Sequence, residues 1–158
     1  MKIGVISDTH LTQSAADLTE LLNGPFNDVE TILHAGDLTE LAVLEAFAGR
    51  KVLAVCGNMD SPAVRKQLPT HRVFQAERFK IGLIHGWGGP RGIEERIARE
   101  FQGVNCIVYG HTHAPAQIER EGIFFFSPGA CGDGWGPGSR SVGVLNLTDT
   151  LSGQVFYL

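Results

Sequence analysis

The segment Ile3-Gly4-Val5-Ile6-Ser7-Asp8-Thr9-His10 decides the fold. Its first five residues form a short apolar run, rich in β-branched side chains, that suits a buried parallel strand. The run delivers Asp8 and His10 directly at its carboxyl end. The same construction returns four times. Gly36-Asp37 follows Thr31-Ile32-Leu33, Gly57-Asn58 follows Val52 to Cys56, His85-Gly86 closes the run from Arg78, and Gly110-His111-Thr112-His113 follows Cys106 to Tyr109. In an open α/β sheet ligands bind outside the carboxyl ends of the strands, so residues far apart in the chain converge there.

Between the first three runs the pattern is helical. The polar Gln13-Ser14 step leads to a stretch carrying Leu18, Leu21 and Leu22, which Gly24-Pro25 ends. Leu38 to Phe47 carries Leu41, Leu44 and Phe47 at helical spacing. The resulting βαβαβ order favours a parallel sheet with helices outside. After Pro62 the pattern changes: Arg72 to Gln75 and Arg78 to His85 suggest a hairpin across Ala76-Glu77, and a helix with Ile93, Ile97 and Phe101 on one face follows Gly92. Gln117 to Arg120, Ile123 to Ser127, Val142 to Leu147 and Gln154 to Leu158 read as further strands. Helices outside two stacked sheets would bury all of these runs. The glycine-rich segment Gly129 to Gly138 reads as a loop, because it lacks the strand–loop–helix context of a phosphate cradle.

At 158 residues and 43% apolar content, the chain is read as one domain over residues 1–158 with one sizeable core. Its net charge of −4 argues against a generic nucleic-acid surface, which needs an excess of Lys and Arg. A local positive centre made of metal ions stays compatible with it. Cys56, Cys106 and Cys131 have neither disulfide-framework nor CxxC spacing, so reduced thiols in a cytoplasmic protein are expected. The N-terminal run enters Asp8 without a signal-peptide pattern, and no apolar run reaches membrane-spanning length. A homo-oligomer is plausible for a small sandwich with exposed sheet edges.

Seven potential ligands sit at the strand ends: Asp8, His10, Asp37, Asn58, His85, His111 and His113. Asp8 and His10 are two positions apart, which in an extended segment points both side chains to one side, and His111 and His113 repeat that spacing. The adjacent glycines permit sharp turns and close backbone approach. Mixed nitrogen and oxygen donors without thiolate suit Mn, Zn, Ni, Co or ferrous Fe.

In order and spacing, Asp8-X-His10, Gly36-Asp37, Gly57-Asn58-X-Asp60, His85-Gly86 and Gly110-His111-X-His113 resemble the calcineurin-like metallophosphoesterase superfamily, especially its small single-domain phosphodiesterases. The resemblance implies an α/β fold, a four-layer α/β/β/α sandwich of two mixed sheets, with a binuclear site at the strand ends. It implies one ion held by Asp8, His10, Asp37 and His113, and a second by Asp37, Asn58, His85 and His111. Manganese is the favoured metal, and a hydroxide between the ions would attack phosphorus in line, with Asp37, Asn58 and His111 acting through metal and phosphate positioning. The expected substrate is a small phosphodiester. Alternatives are a phosphomonoesterase, or an inert protein-interaction scaffold like the retromer subunit of the same fold.

Several residues fall outside this set. Many relatives have a histidine after Gly-Asn, thought to protonate the leaving oxygen, whereas Met59 cannot transfer a proton near neutral pH. Weak activity on poor leaving groups is therefore expected. His34 either orients substrate or supports the ligands from behind, or is structural. Asp60 either steadies a neighbour of the metal site or caps a helix at Ser61-Pro62, and His71 reads as a surface residue. Trp87, Trp135 and Arg140 either pack loops or contact a base and a phosphate. Ser127-Pro128-Gly129-Ala130 resembles the family's Asn-Pro-Gly-Ser turn with both polar ends altered, which weakens a substrate role there.

Overall fold

Strand β1 (Lys2–Ile6) pairs in parallel with β2 (Thr31–His34), which pairs in parallel with β3 (Lys51–Ala54). On its other side β1 pairs antiparallel with β9 (Ser141–Leu147), and β9 with β10 (Leu151–Tyr157), giving the order β10-β9-β1-β2-β3. A second sheet contains β4 (His71–Ala76), β5 (Phe79–Ile84), β6 (Cys106–Val108), β7 (Pro115–Arg120) and β8 (Ile123–Pro128) in the order β4-β5-β6-β8-β7. There β5, β6 and β8 run parallel while β4 and β7 are antiparallel edges, so both sheets are mixed. This computed structural model describes residues 1–10, 16–132 and 140–158.

Side-chain alternation builds the layers. Ile3 and Val5 of β1, Leu33 of β2, and Leu145 and Leu147 of β9 face Ile81, Leu83, Cys106, Val108 and Phe126 of the second sheet. Residues of opposite parity, Ile6, Ile32, Val142 and Val144, face outward to Leu18 of α1 (Ala16–Glu20), to Leu21 just after it, and to Val43 and Phe47. The outer face of the second sheet, with Ile107, Tyr109 and Phe125, packs on Ile93 and Ile97 of α3 (Ile93–Ala98) and on Phe101 just beyond it. Three apolar interfaces therefore separate four layers, helix, sheet, sheet and helix. Each buried branched or aromatic side chain in them contributes roughly 1.5–3 kcal/mol relative to exposure.

Some local expectations need correction. Leu38 to Phe47 is not an α-helix but a 3-10 helix over Leu41–Phe47. The spacing of Leu41, Leu44 and Phe47 is three residues, the period at which 3-10 side chains eclipse. A short helix, α2 (Pro62–Gln67), is an addition; Ser61 caps it by accepting the Val64 N–H, and Pro62 occupies its first turn. The hairpin turns at Glu77-Arg78, one residue later than expected, with Ala76 paired to Phe79 and Glu77 at φ 51°. The Gln13-Ser14 step, Trp135 and most of Gly129 to Gly138 lie outside the described residues. Among the described residues no helix is long and apolar enough to cross a membrane.

Candidate metal centre

All five motifs leave the carboxyl ends of parallel strands: β1, β2 and β3 in one sheet, β5 and β6 in the other. Backbone hydrogen bonds then stitch the exits together. The Asp8 N–H donates to the Gly36 carbonyl (3.0 Å), His10 N–H to Asp37 (3.1 Å), and Gly110 N–H to His85 (3.1 Å). Asp60 secures two of the loops at once, accepting the N–H groups of Asp37 (3.2 Å), Thr39 (2.6 Å) and Gly57 (2.7 Å). Its side chain therefore steadies the loops that carry the ligand candidates, and Ser61 does the capping.

Close approach sets the glycine at position 110. A Cβ there would fall on Ser7 Oγ and within 2.7 Å of Asp8 Oδ2. Five ligand candidates, Asp8, His10, Asp37, His111 and His113, have φ between 47° and 70°, a region non-glycine residues seldom adopt. The extended geometry expected for Asp8-X-His10 and His111-X-His113 is thus replaced by paired left-handed residues. Such backbone costs of order 1–3 kcal/mol per residue, and its clustering here fits strain held at a functional site.

The side chains converge. Asp8, His10 and His113 present ligand atoms within 4.8 Å of one another, as do Asp8, Asp37 and His85. His113 Nε2 lies 3.2 Å and His10 Nε2 3.8 Å from Asp8 Oδ1, and the two imidazole nitrogens are 3.4 Å apart. Asp37 Oδ2 is 3.2 Å from His85 Nε2 and 4.0 Å from His10 Nε2. Asn58 Oδ1 is 3.1 Å from both His85 Nε2 and His111 Nδ1. His111 and His113 thus diverge, one toward Asn58 and the other toward Asp8, rather than chelating together.

The donor set fits a cation. Asp8 Oδ1 is buried and, among the described residues, accepts no well-formed hydrogen bond although His113 Nε2 faces it at 3.2 Å, while Oδ2 accepts from Ser7 Oγ and the His111 N–H. His85 Nδ1 donates to the Ala35 carbonyl at 2.8 Å, which directs the Nε2 lone pair at Asp37 Oδ2. His111 Nε2 donates to the Gly88 carbonyl at 2.8 Å and leaves Nδ1 directed at Asn58. Lone pairs facing lone pairs repel unless a proton or a metal ion lies between them.

The protonation preferences carry the same tension. Burial pushes the Asp8 carboxyl up, but His113, the charge of His85 and the Ser7 hydroxyl outweigh it and hold it below the ordinary range. Burial likewise raises Asp37, yet His85 and the Met59 N–H hold it low. His113 is raised by its contact with Asp8, and His85 is raised because Asp37 and Asp8 overcome its burial. Cys106 and Cys131 are pushed by burial to about 12 and about 11, so neither offers a thiolate near neutral pH.

The other candidates separate clearly. His34 is fully buried: the Gly36 N–H donates to its Nδ1 (3.2 Å) and its Nε2 faces Thr9 Oγ1 (3.3 Å), so it braces two loops that carry ligand candidates. Met59 is 61% exposed and contributes its backbone N–H to Asp37 Oδ1 at 2.7 Å. Arg140 donates Nε to the Cys131 carbonyl, a loop-packing role. His71 is exposed as expected, but it lines a 360 Å³ cavity with Asn58, His85, Arg65 and Trp87.

The sequence reading missed Arg65 and Arg96. Arg65 donates to the carbonyls of Asp60 and Asn58, and Arg96 to those of Trp87, Gly89 and Arg91. Their only signal is an arginine on a helix that follows a ligand loop.

Comparison with known proteins places this geometry in context. A probable metallophosphoesterase of Methanothermobacter thermautotrophicus is 42% identical over 136 residues, covering 82% of this chain and 77% of the relative. A phosphodiesterase of Methanocaldococcus jannaschii is 27% identical over 160 residues, covering 92% and 93%. Among solved structures, a novel archaeal phosphodiesterase superposes with a TM-score of 0.78 at 25% identity over the full length of both chains. Vps29 of Entamoeba histolytica, solved with Zn²⁺, has a TM-score of 0.73 at 24% identity over 99% of both chains, which shows the fold alone. The profile of the calcineurin-like phosphoesterase superfamily domain matches residues 1–150, and the chain belongs to that superfamily.

Proposed function

We propose that this chain, acting as one domain over residues 1–158, is a phosphodiesterase that works with two divalent cations, Mn²⁺ favoured. The observation that carries the reading is the convergence of acceptor atoms on the buried Asp37 Oδ2, which faces His85 on one side and His10 on the other. Asp8, His10, Asp37 and His113 would hold one ion; Asp37, Asn58, His85 and His111 would hold the other. Because the Met59 N–H occupies Asp37 Oδ1, Oδ2 is the oxygen suited to serve both.

When bound, two such ions would supply Lewis-acid chemistry, activating water and polarising the phosphoryl oxygens. Around them the protein's own groups position and screen. Two carboxylates against two divalent cations leave an excess of +2, which attracts a phosphoester although the whole chain carries −4. Ala35 and Gly88, through their carbonyls, set the orientation of His85 and His111. Three buried free thiols suit the reducing cytoplasm.

A diester is favoured over a monoester by the cavities that adjoin the ligands. One, of 360 Å³, borders Asn58 and His85; another, of 300 Å³, is lined by Gly88, Pro90, His111, Thr112 and His113. A diester has two arms to place, a monoester one. Purified protein should hydrolyse bis-p-nitrophenyl phosphate faster than p-nitrophenyl phosphate when supplied with Mn²⁺. The reverse preference would favour a monoesterase. An inert scaffold would turn over neither, with or without bound metal, and the presence of all seven ligand candidates argues against it.

A further inference from the structure

We infer that the cavity beside Asn58 and His85 receives a heteroaromatic, nucleoside-type arm of the substrate, with its ring stacked on Trp87. This rests on the phosphodiesterase reading and narrows its substrate class.

Three observations on the cavity lead there. First, Trp87 lies two residues beyond the ligand candidate His85 and on the cavity wall, yet it is 44% exposed. An indole left half in water next to a polar centre adds little to the core and stays available on the cavity wall for stacking.

Second, the Trp87 backbone is held fast. Arg96 donates to its carbonyl through Nε (3.2 Å) and Nη2 (3.1 Å), and also to the carbonyls of Gly89 and Arg91. His111 Nε2 donates to the intervening Gly88 carbonyl at 2.8 Å. The backbone that carries the indole is thereby fixed relative to a ligand candidate, which lowers the ordering cost of binding a ring there.

Third, the cavity suits a ring with an attached sugar rather than a lipid chain. Its 360 Å³ lies at the small-molecule end of ligand sites. Arg65, Thr70, His71 and Glu100 put hydrogen-bonding groups on its wall, beside apolar surface from Cys56, Ile84 and Trp87 that suits the face of a base. Base stacking on an aromatic side chain tolerates any base, because each has a π-face.

The test compares adenosine 5′-monophosphate with ribose 5-phosphate, which share sugar and phosphate and differ by the base. Calorimetric titration of the Mn²⁺-loaded protein should show about tenfold or more tighter binding of the nucleotide. Trp87→Ala should bring the two affinities within about twofold by weakening the nucleotide alone, and Trp87→Phe should keep most of the preference. Independently of any cavity variant, in protein carrying Trp135→Phe the fluorescence of the remaining tryptophan, Trp87, should be quenched by the nucleotide and not by ribose 5-phosphate. Equal affinities in the parent protein, a preference that survives Trp87→Ala, or no difference in quenching would overturn the assignment. Loss of bis-p-nitrophenyl phosphate hydrolysis by the loaded parent protein would instead sink the phosphodiesterase reading, and the binding comparison would still stand by itself.

Discussion

The Met59 backbone N–H donates to Asp37 Oδ1 at 2.7 Å. The relationship separates what the backbone and the side chain of this position can do. The backbone still orients the carboxylate shared by the proposed ions, while the side chain, 61% exposed, has no proton to give the departing oxygen.

Hydrolysis should accordingly depend steeply on leaving-group pKa. Met59→His restores an imidazole without disturbing the backbone contact, so it should flatten that dependence and raise the rate on alkyl leaving groups by about tenfold or more. A series of aryl and alkyl diesters assayed with both proteins measures the two slopes; equal slopes would show that protonation at this position does not limit the reaction.

Asp37 is the only side chain assigned to both ions. Asp37→Asn keeps the size and one oxygen but removes the charge, and should lower metal content below two ions per chain and cut turnover on the order of a thousandfold. Elemental analysis beside the assay checks both. Full metal content with near-parental turnover would contradict the shared role.

Asp60 touches no metal in this account, yet it gathers three backbone N–H groups from two loops. Asp60→Ala strands those donors, and should destabilise the fold by about 3 kcal/mol or more. Metal affinity should weaken by roughly 10–100-fold, the usual effect of losing a group that orients ligands. Chemical denaturation and competitive metal titration read the two effects separately.

The pH dependence of stability has two windows of opposite sign. His34 is pushed by burial to about 4, and its Nδ1 already accepts the Gly36 N–H, so the fold holds it neutral. The unfolded chain takes up that proton below about pH 6.5, and stability should therefore fall by about 3 kcal/mol between pH 6.5 and 4. His34→Asn should flatten this limb. His85 and His113 are raised in the folded, metal-free protein, so what they contribute is complete below about pH 6.5 and is lost as pH rises through their folded values. Mn²⁺ replaces those protons, and its stabilising effect should grow with pH across the same range. Denaturation curves with and without Mn²⁺ from pH 4 to 8 measure both windows.

Much of this was legible in the chain, for a physical reason. Parallel strands buried on both faces leave short apolar runs such as Ile3 to Ile6, and functional residues must then lie just past their ends, as Asp8, Asp37 and Asn58 do. Less legible were features that depend on contacts across the chain. Asp60 reaches Asp37 over 23 positions, and nothing local distinguishes it from a helix cap. His71 looked like an ordinary surface residue because its neighbour in the cavity wall, Trp87, comes from the following strand's end. The left-handed backbone of Asp8, His10 and His113 was invisible, since local preference assigns that region to glycine and asparagine. The same limit applies to the 3-10 helix over Leu41–Phe47, whose three-residue spacing is shared by one face of an α-helix.

The most direct test is metal content and turnover measured on one preparation. Protein loaded with Mn²⁺ and freed of excess metal should retain about two ions per chain and hydrolyse bis-p-nitrophenyl phosphate, with activity lost on chelation and restored by Mn²⁺. Retention of no ion, or equal turnover before and after chelation, would contradict the account.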